Sequence, residues 1–236
     1  SFFNQKVLKR CDPFIINMSS TLLNNGNLPL FSKFDNDQVE GDITTILTNL
    51  EKDFSELEGK IEKETDVNKL YNLAIEEMER IEYPLEFGWG VVSHLHSVKN
   101  NDGLRKVYQK MQPEVIKLSS KMSQSEILFK ALEKLSESKI LNPTRQRIVD
   151  LTKDSMFLSG IGLDDETRKK FNENQLKLGE ASTKFSNNAL DSVKEFELFI
   201  SDNENMKKLP QSALELYSQQ AKEKHPESTP ENGPWK

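Results

Sequence analysis

Two histidines, His94 and His96, stand close together in the segment VVSHLHSVKN and have the side-chain type that most often binds metals in proteins. On a helix, two positions correspond to a rotation of about 200°, so the two imidazoles point away from each other. A zinc site on one helix instead needs ligands one turn apart, as in H-E-x-x-H. A carboxylate from another helix could complete a site with either histidine. We predict that one histidine packs between helices, that the other faces water, and that neither binds a metal.

The third histidine and the single cysteine are weak candidates for chemistry. His225 precedes a proline in a turn-rich segment, HPESTPENGP, where we expect it to be exposed. Cys11 lies near the beginning of the sequence without a histidine base close by, so we interpret it as a bystander thiol rather than a nucleophile. One cysteine cannot form an internal disulfide, which favours a reducing compartment.

Paired carboxylates can act as a general acid and base, but here they have the pattern of solvated helix starts. We predict that these pairs cap or solvate helices: Asp164 with Asp165, and Glu76 with Glu77.

The glycine-rich and aromatic patterns in the sequence also do not match known binding or catalytic motifs. The segment GIGLDD holds the first two glycines of G-x-G-x-x-G, but Asp165 occupies the third position and no strand precedes it. A helix stop at Gly160 and Gly162 is the better interpretation. Neither a G-x-x-x-x-G-K-[ST] loop nor a G-x-S-x-G elbow occurs. Phe171, Phe185 and Phe196 are predicted to be core residues. We therefore predict no catalytic, cofactor-binding or metal-binding residue in this sequence.

The overall composition restricts the partners. The chain has 236 residues, 30% of them charged, and a formal net charge of −6, with basic and acidic residues interleaved. Such a chain repels a nucleic-acid backbone on average. No apolar run approaches the ~20 residues that a membrane-spanning helix needs. We predict neither a nucleic-acid nor a membrane partner.

Apolar residues recur at spacings of three and four along most of the sequence, which predicts long amphipathic helices. The first stripe runs from Val39 to Ile61, begins near a cap at Asp35 or Asn36, and requires partner helices to cover it. Later stripes comprise Leu70, Leu73, Ala74, Met78 and Ile81; Phe87, Val91, Leu95 and Val98; Leu104 to Met122; Ile127 to Leu135; Ile148, Leu151, Thr152, Ser155 and Leu158; Phe171, Leu178, Phe185, Ala189, Val193 and Phe196; and Leu214, Tyr217 and Ala221.

Helix boundaries are predicted from capping residues and prolines. Ser123 is predicted to cap a helix with Glu126 reaching back, and Pro84 to mark a break or the first turn of a helix. The remaining predicted caps are Asn142, followed by Pro143 at the first helical position, and Asp164. Because no alternating strand pattern is present, we predict an all-α fold, a bundle of long antiparallel helical hairpins.

The order of these landmarks resembles the N-terminal part of the thimet oligopeptidase and oligopeptidase A family of zinc metallopeptidases. The segments that carry the resemblance are LPLF, WGVVSHLHSVKNNDGLRKVYQKMQPEV, FLSGIGLDDETRKKFNENQLKLGEASTKFSNNALDSVKEF, LPQSALELYSQQAKEK and the closing GPWK. They extend from about residue 28 to residue 236. The resemblance therefore implies a helical N-terminal domain over residues 28–236, after an extension of residues 1–27 that we expect to be flexible.

The resemblance also implies a function and a separate role for each half of the protein. The family hydrolyses short peptides with zinc held by an H-E-x-x-H helix and a downstream glutamate, in a C-terminal half that this sequence lacks. This chain is then expected to be inactive alone and to form one wall of a channel for short unfolded peptides. Its expected partners are those peptides and the missing catalytic half. The alternative is a truncated, non-enzymatic paralogue that binds peptides or another partner.

The compartment is predicted only broadly. We expect a cytoplasmic protein, because the composition shows no secretory feature. The alternative is a mitochondrial or plastid protein, since basic residues exceed acidic ones in the first stretch, which includes Lys6, Lys9 and Arg10.

Overall fold

A computed structural model of the chain describes residues 20–23, 28–201, 203–206 and 208–236. Within these ranges the fold is all-α, which confirms the predicted class. Only two isolated β-bridges occur in the described residues, Ile200 with Trp235 and Thr229 with Gly233. The helices are α1 (Asn36–Lys63), α2 (Val67–Tyr71), α3 (Met78–Val98), α4 (Asp102–Ser123), α5 (Glu126–Glu137), α6 (Pro143–Leu158), α7 (Asp165–Glu195), α8 (Asn203–Met206) and α9 (Gln211–Ala221).

Helix α1 is the element around which the first part of the chain packs. Asp35 caps it by accepting a hydrogen bond from the backbone N–H of Asp37 at 3.0 Å. Its predicted apolar stripe is confirmed, since these residues are buried: Val39, Ile43, Ile46, Leu50, Phe54, Leu57 and Ile61. Full burial of one such side chain stabilises the fold by about 1.5–3 kcal/mol.

Two hydrophobic clusters share α1. One joins its first half to α3 and α4 and includes Leu22, a residue of the predicted extension that is 2% exposed. The other joins its second half to α5, α6 and the chain between α2 and α3. Residues 1–19 and 24–27 lie outside the described ranges, so the boundary at residues 27 and 28 stays a prediction.

Helix α3 continues through Pro84, so the predicted break or helix start there is wrong. A six-residue π-helical stretch, Asn72–Glu77, joins α2 to α3, and Pro84 lies within α3 itself. Proline removes one backbone hydrogen bond from a helix. Burial of Ile81 and Gly88 on either side holds the helix against its neighbours despite that loss. Gly88 permits the close approach, because a Cβ atom there would lie 2.8 Å from Cδ1 of Ile46.

The predicted cap of α5 is displaced by two residues. Helix α4 includes Ser123, whose hydroxyl donates to the carbonyl of Ser120. The cap is Ser125, which accepts from the N–H of Leu128 at 3.1 Å. In SQSE a serine stands on each side of the glutamine, so the motif alone does not determine which serine caps the helix. The predicted caps Asn142 and Asp164 are confirmed by hydrogen bonds from the N–H groups three residues later.

The predicted buried faces of α6 and α7 are wrong. In α6 the buried residues are Val149 and Met156, whereas the predicted stripe residues Leu151 and Leu158 are 50% and 78% exposed. Helix α7 leaves Phe185 75% exposed, and Phe196 directly after it is also exposed. In α6 the periodicity indicates a face other than the buried one, and in α7 it indicates an apolar face that the described residues leave exposed.

The described chain divides into two compact units between Ala181 and Ser182, within α7. In the second unit, Trp235 is buried with Met206 and Leu214. Glu197 accepts hydrogen bonds from the ammonium groups of Lys224 and Lys236, and these bonds lower its pKa to about 2. No helix in the described part of the chain is long and apolar enough to cross a bilayer.

Candidate functional site

The two histidines of α3 occupy different environments, as predicted. His94 is exposed and its ring lies 5.9 Å from that of Phe31. His96 is buried and stacks on Tyr108 with ring centroids 4.2 Å apart. Burial, and then the charge of Arg105, lower the pKa of His96, so the neutral imidazole is favoured. Its Nε2 atom has no hydrogen-bond partner among the described residues.

An aromatic stack around Tyr108 was not predicted. Trp89 packs on Tyr108 with ring centroids 4.7 Å apart, and Tyr108 in turn stacks on His96. Trp89 and His96 are two turns apart on α3, so the i, i+7 spacing was the available signal. The stack holds α3 against α4 and gives His96 a structural role.

The acidic pairs have partners that explain them. Asp164 accepts from the N–H and the hydroxyl of Thr167 at 3.0 and 2.7 Å, and these bonds lower its pKa. The other three carboxylates form ion pairs: Asp165 with Arg168, Glu76 with Arg145 and Glu77 with Arg80. Capping and ion pairing account for both pairs, in line with the prediction.

His225 is less exposed than predicted. Its ring packs edge-on against Phe199 at 4.7 Å, and Nδ1 lies 3.1 Å from Oε1 of Glu227. Both contacts are within the second unit and leave the imidazole half-buried. Cys11 lies outside the described residues.

The segment GIGLDD ends one helix and starts the next. Gly160 has φ of +94°, a left-handed conformation that favours glycine, directly after the end of α6. The guanidinium of Arg168 donates to the carbonyls of Ile161 and Leu163 at 3.4 and 2.8 Å, which fixes the turn. The segment is a helix-to-helix connection, as predicted.

No group of three His, Cys, Asp or Glu side chains in the described ranges could hold a metal ion. Among these residues no ligand set therefore fits the zinc that the family resemblance implies.

A cavity of about 540 Å³ lies within the first unit and was not foreseen from the sequence. Helices α3, α4, α6 and α7 all line it. Glu82 is the ionisable residue of its lining, and its pKa is raised to about 7, mainly by burial and then by the charges of Glu86 and Glu79. The lining residues come from positions up to about 100 apart, so no local motif could have indicated the cavity.

Two helices carry apolar faces that the described residues leave open to solvent. We define the α6 stripe, in the first unit, as Ile148, Leu151 and Leu158, and the α7 stripe, in the second unit, as Phe185 and Val193. Each member of the α7 stripe is at least 60% exposed. Helical spacing places each set on one side of its own helix. Exposed apolar residues repeated along one side of a helix make that side a candidate interaction surface.

Comparisons with known proteins identify the family of the chain. The family model for the neurolysin/thimet oligopeptidase N-terminal domain matches residues 43–168. The chain is 36% identical over 221 residues to the organellar oligopeptidase A (chloroplastic/mitochondrial) of Arabidopsis thaliana, covering 92% of this chain and 27% of that protein. It is 35% identical to a probable cytosolic oligopeptidase A of the same plant, covering 92% and 31%.

A bacterial relative extends the similarity. Oligopeptidase A of Escherichia coli (strain K12) is 30% identical over 210 residues, covering 88% of this chain and 30% of that protein. The chain thus spans less than a third of the length of these relatives. Since the family model matches more than half of the chain, the chain belongs to the neurolysin/thimet oligopeptidase family and corresponds to its N-terminal part.

Proposed function

We propose that this chain is the N-terminal region of a metallo-oligopeptidase that hydrolyses short peptides, and that it forms one wall of the peptide channel. The match to the family's N-terminal domain, together with relatives named oligopeptidase A, carries the proposal. Long helices around two shared clusters supply a rigid wall. A narrow channel would admit unfolded peptides and exclude folded proteins, so selection rests on steric access.

The hydrolytic chemistry belongs, in this proposal, to sequence that the relatives have beyond the matched region. The family resemblance implies that two histidines and a downstream glutamate would hold zinc there, and that the glutamate of the H-E-x-x-H motif would activate the water. This chain would contribute binding and exclusion of water rather than a reacting group. Alone, it is expected to be inactive.

The α6 stripe and the α7 stripe are proposed to contact the catalytic half. They are apolar faces that a bundle helix would normally bury, yet nothing in the described chain covers them. A second polypeptide region packed against them would remove this apolar area from water.

The names of the relatives support two compartments for this protein. Their names include an organellar and a cytosolic protein, so a cytoplasmic location and the mitochondrial or plastid alternative are both retained. Microscopy of a fluorescent fusion, with and without residues 1–27, separates the two.

Peptide hydrolysis by the protein in its full natural length is the test of the activity. With a short internally quenched peptide, we expect cleavage that a chelator abolishes and zinc restores. A folded protein of the same composition, offered as a control substrate, should remain intact. The 236-residue chain alone should not cleave the peptide.

Two outcomes would contradict the proposal. Chelator-sensitive cleavage by the 236-residue chain alone would place the chemistry within it. Peptide binding without cleavage by the natural full-length protein would favour the non-enzymatic paralogue instead.

A further inference from the structure

The cavity of about 540 Å³ in the first unit has the size of a small-molecule site. Ligand pockets in proteins are about 300–1,000 Å³. Residues on successive turns of three helices face it: Met78 and Glu82 on α3, Ser119, Ser120 and Ser123 on α4, and Thr152 and Ser155 on α6. The site is thus built from regular elements, which hold side chains in fixed positions.

The ionisable lining of the cavity is acidic. Glu82 lines it, and no basic residue does so among the described residues. Glu79 and Glu86, one turn away on either side, increase the negative potential at Glu82. No hydrogen bond to the Glu82 carboxylate is present in the described structure. A cation in the cavity would stabilise the ionised carboxylate, whereas an anion would be repelled.

The remaining lining suits an organic cation better than a metal ion. One carboxylate with no histidine or cysteine gives too few strong ligands for a metal, and the described residues contain no metal-binding group of three. Hydroxyl oxygens on α4 and α6 can accept hydrogen bonds from an ammonium group. Met78, Met122, Met156 and Phe171 offer adaptable apolar walls for a hydrocarbon body.

We propose that this cavity binds ligands that join an apolar body to one ammonium group, with the Glu82 carboxylate as the counter-charge. Both a free aliphatic amine and a lysine side chain of a peptide have this chemistry. The proposal does not depend on peptidase activity, so its failure leaves the proposed function untouched.

Calorimetric titration of the protein in its full natural length tests the site. The probes are 4-phenylbutylamine and its neutral counterpart 4-phenylbutanol, at pH 8. We expect the amine to bind at least about tenfold more tightly than the alcohol, and Glu82→Gln to remove that advantage. Glu86→Gln is the matched control, because Glu86 is one turn away and does not line the cavity. Because its charge adds to the negative potential at Glu82, Glu86→Gln should weaken amine binding, but by much less than Glu82→Gln does.

A second variant locates the binding. Ser120→Leu adds bulk to the lining and should weaken the amine and the alcohol alike, with helical circular dichroism as the check on folding. Acetyl-Phe-Lys-amide and acetyl-Phe-norleucine-amide then distinguish the two sources. Preference for the lysine peptide supports a peptide side chain, and binding of the amine alone supports a free amine.

Three results would overturn the proposal. These are equal affinity for the amine and the alcohol, unchanged amine affinity in Glu82→Gln, and an equal loss in Glu82→Gln and Glu86→Gln. The first would show a merely apolar cavity, and the last would show a general effect of surface charge.

Discussion

Glu82 and His96 are titratable side chains that neighbouring helices cover without supplying an opposite charge. For both, burial is the largest cause of the pKa shift, and in both the neutral form is favoured. They differ in surroundings, because His96 is held in an aromatic stack whereas Glu82 lines a cavity. Of the two, Glu82 has free space beside it and so can respond to a ligand.

Glu82 is expected to make the stability of the protein depend on pH. Its folded-state pKa of about 7 exceeds the ordinary value of 4.5, so the folded state retains the proton more tightly. The stability linked to this proton is present below about pH 4.5 and is lost as the pH rises through about 7. Glu82→Gln should therefore be more stable than the natural chain at pH 8 by about 1–2 kcal/mol, after allowance for solvent screening, and equal to it at pH 4.

Urea denaturation at both pH values measures this difference. Glu79→Gln, an exposed neighbour on the same helix, is the control and should shift stability by no more than about 0.5 kcal/mol. Identical curves for Glu82→Gln and the natural chain at pH 8 would show that burial of Glu82 costs nothing.

At the scale of the elements, much of the fold could be predicted from the sequence. The stripe of α1 and the caps Asp35, Asn142 and Asp164 follow from local periodicity and local hydrogen bonds. The sequence did not predict that α3 continues through Pro84, because this depends on the burial of residues on both sides of the proline. The exposed stripes of α6 and α7 show the same limit, because apolar spacing does not record what packs against it.

The turn between α6 and α7 is a critical short element. Gly160 has φ of +94°, and a Cβ atom there would lie 3.1 Å from Cδ1 of Leu163. Gly160→Ala should lower the free energy of unfolding by about 1–2 kcal/mol. Gly41 lies in α1 with nothing within 4 Å of its Cβ position, so Gly41→Ala should instead raise it by about 0.5–1 kcal/mol. Thermal and urea unfolding measure the change in the free energy of unfolding of each variant. The same change in Gly160→Ala as in Gly41→Ala would mean that the turn tolerates a side chain.

At the scale of the whole molecule, the distribution of apolar surface is uneven. The residues of the two clusters around α1 are buried, whereas the α6 stripe and the α7 stripe are exposed within the described chain. Whether another part of the chain covers these stripes could not be read from the sequence, because local apolar spacing does not record what packs against it. Only the ordered family segments indicated that a further region should pack there.

The uncovered stripes predict a difference between the 236-residue chain and the protein in its full natural length. The separate chain should bind a hydrophobic dye strongly, and the full-length protein should bind it weakly per molecule. Leu158→Ser and Phe185→Ser should each reduce the dye signal of the separate chain. Val98→Ser, at another exposed apolar residue, is the control and should reduce it less. Equal dye binding by the two forms would argue against docking at these stripes.

The placement of the two tryptophans provides a built-in optical probe for each unit. Trp89 stacks on Tyr108 in the first unit, and Trp235 is buried in the second, where its indole N–H donates to the carbonyl of Pro230. In Trp235→Phe the remaining indole emission follows melting of the first unit alone, and in Trp89→Phe it follows the second. Two single-indole variants thus show whether the halves melt cooperatively, without any attached label.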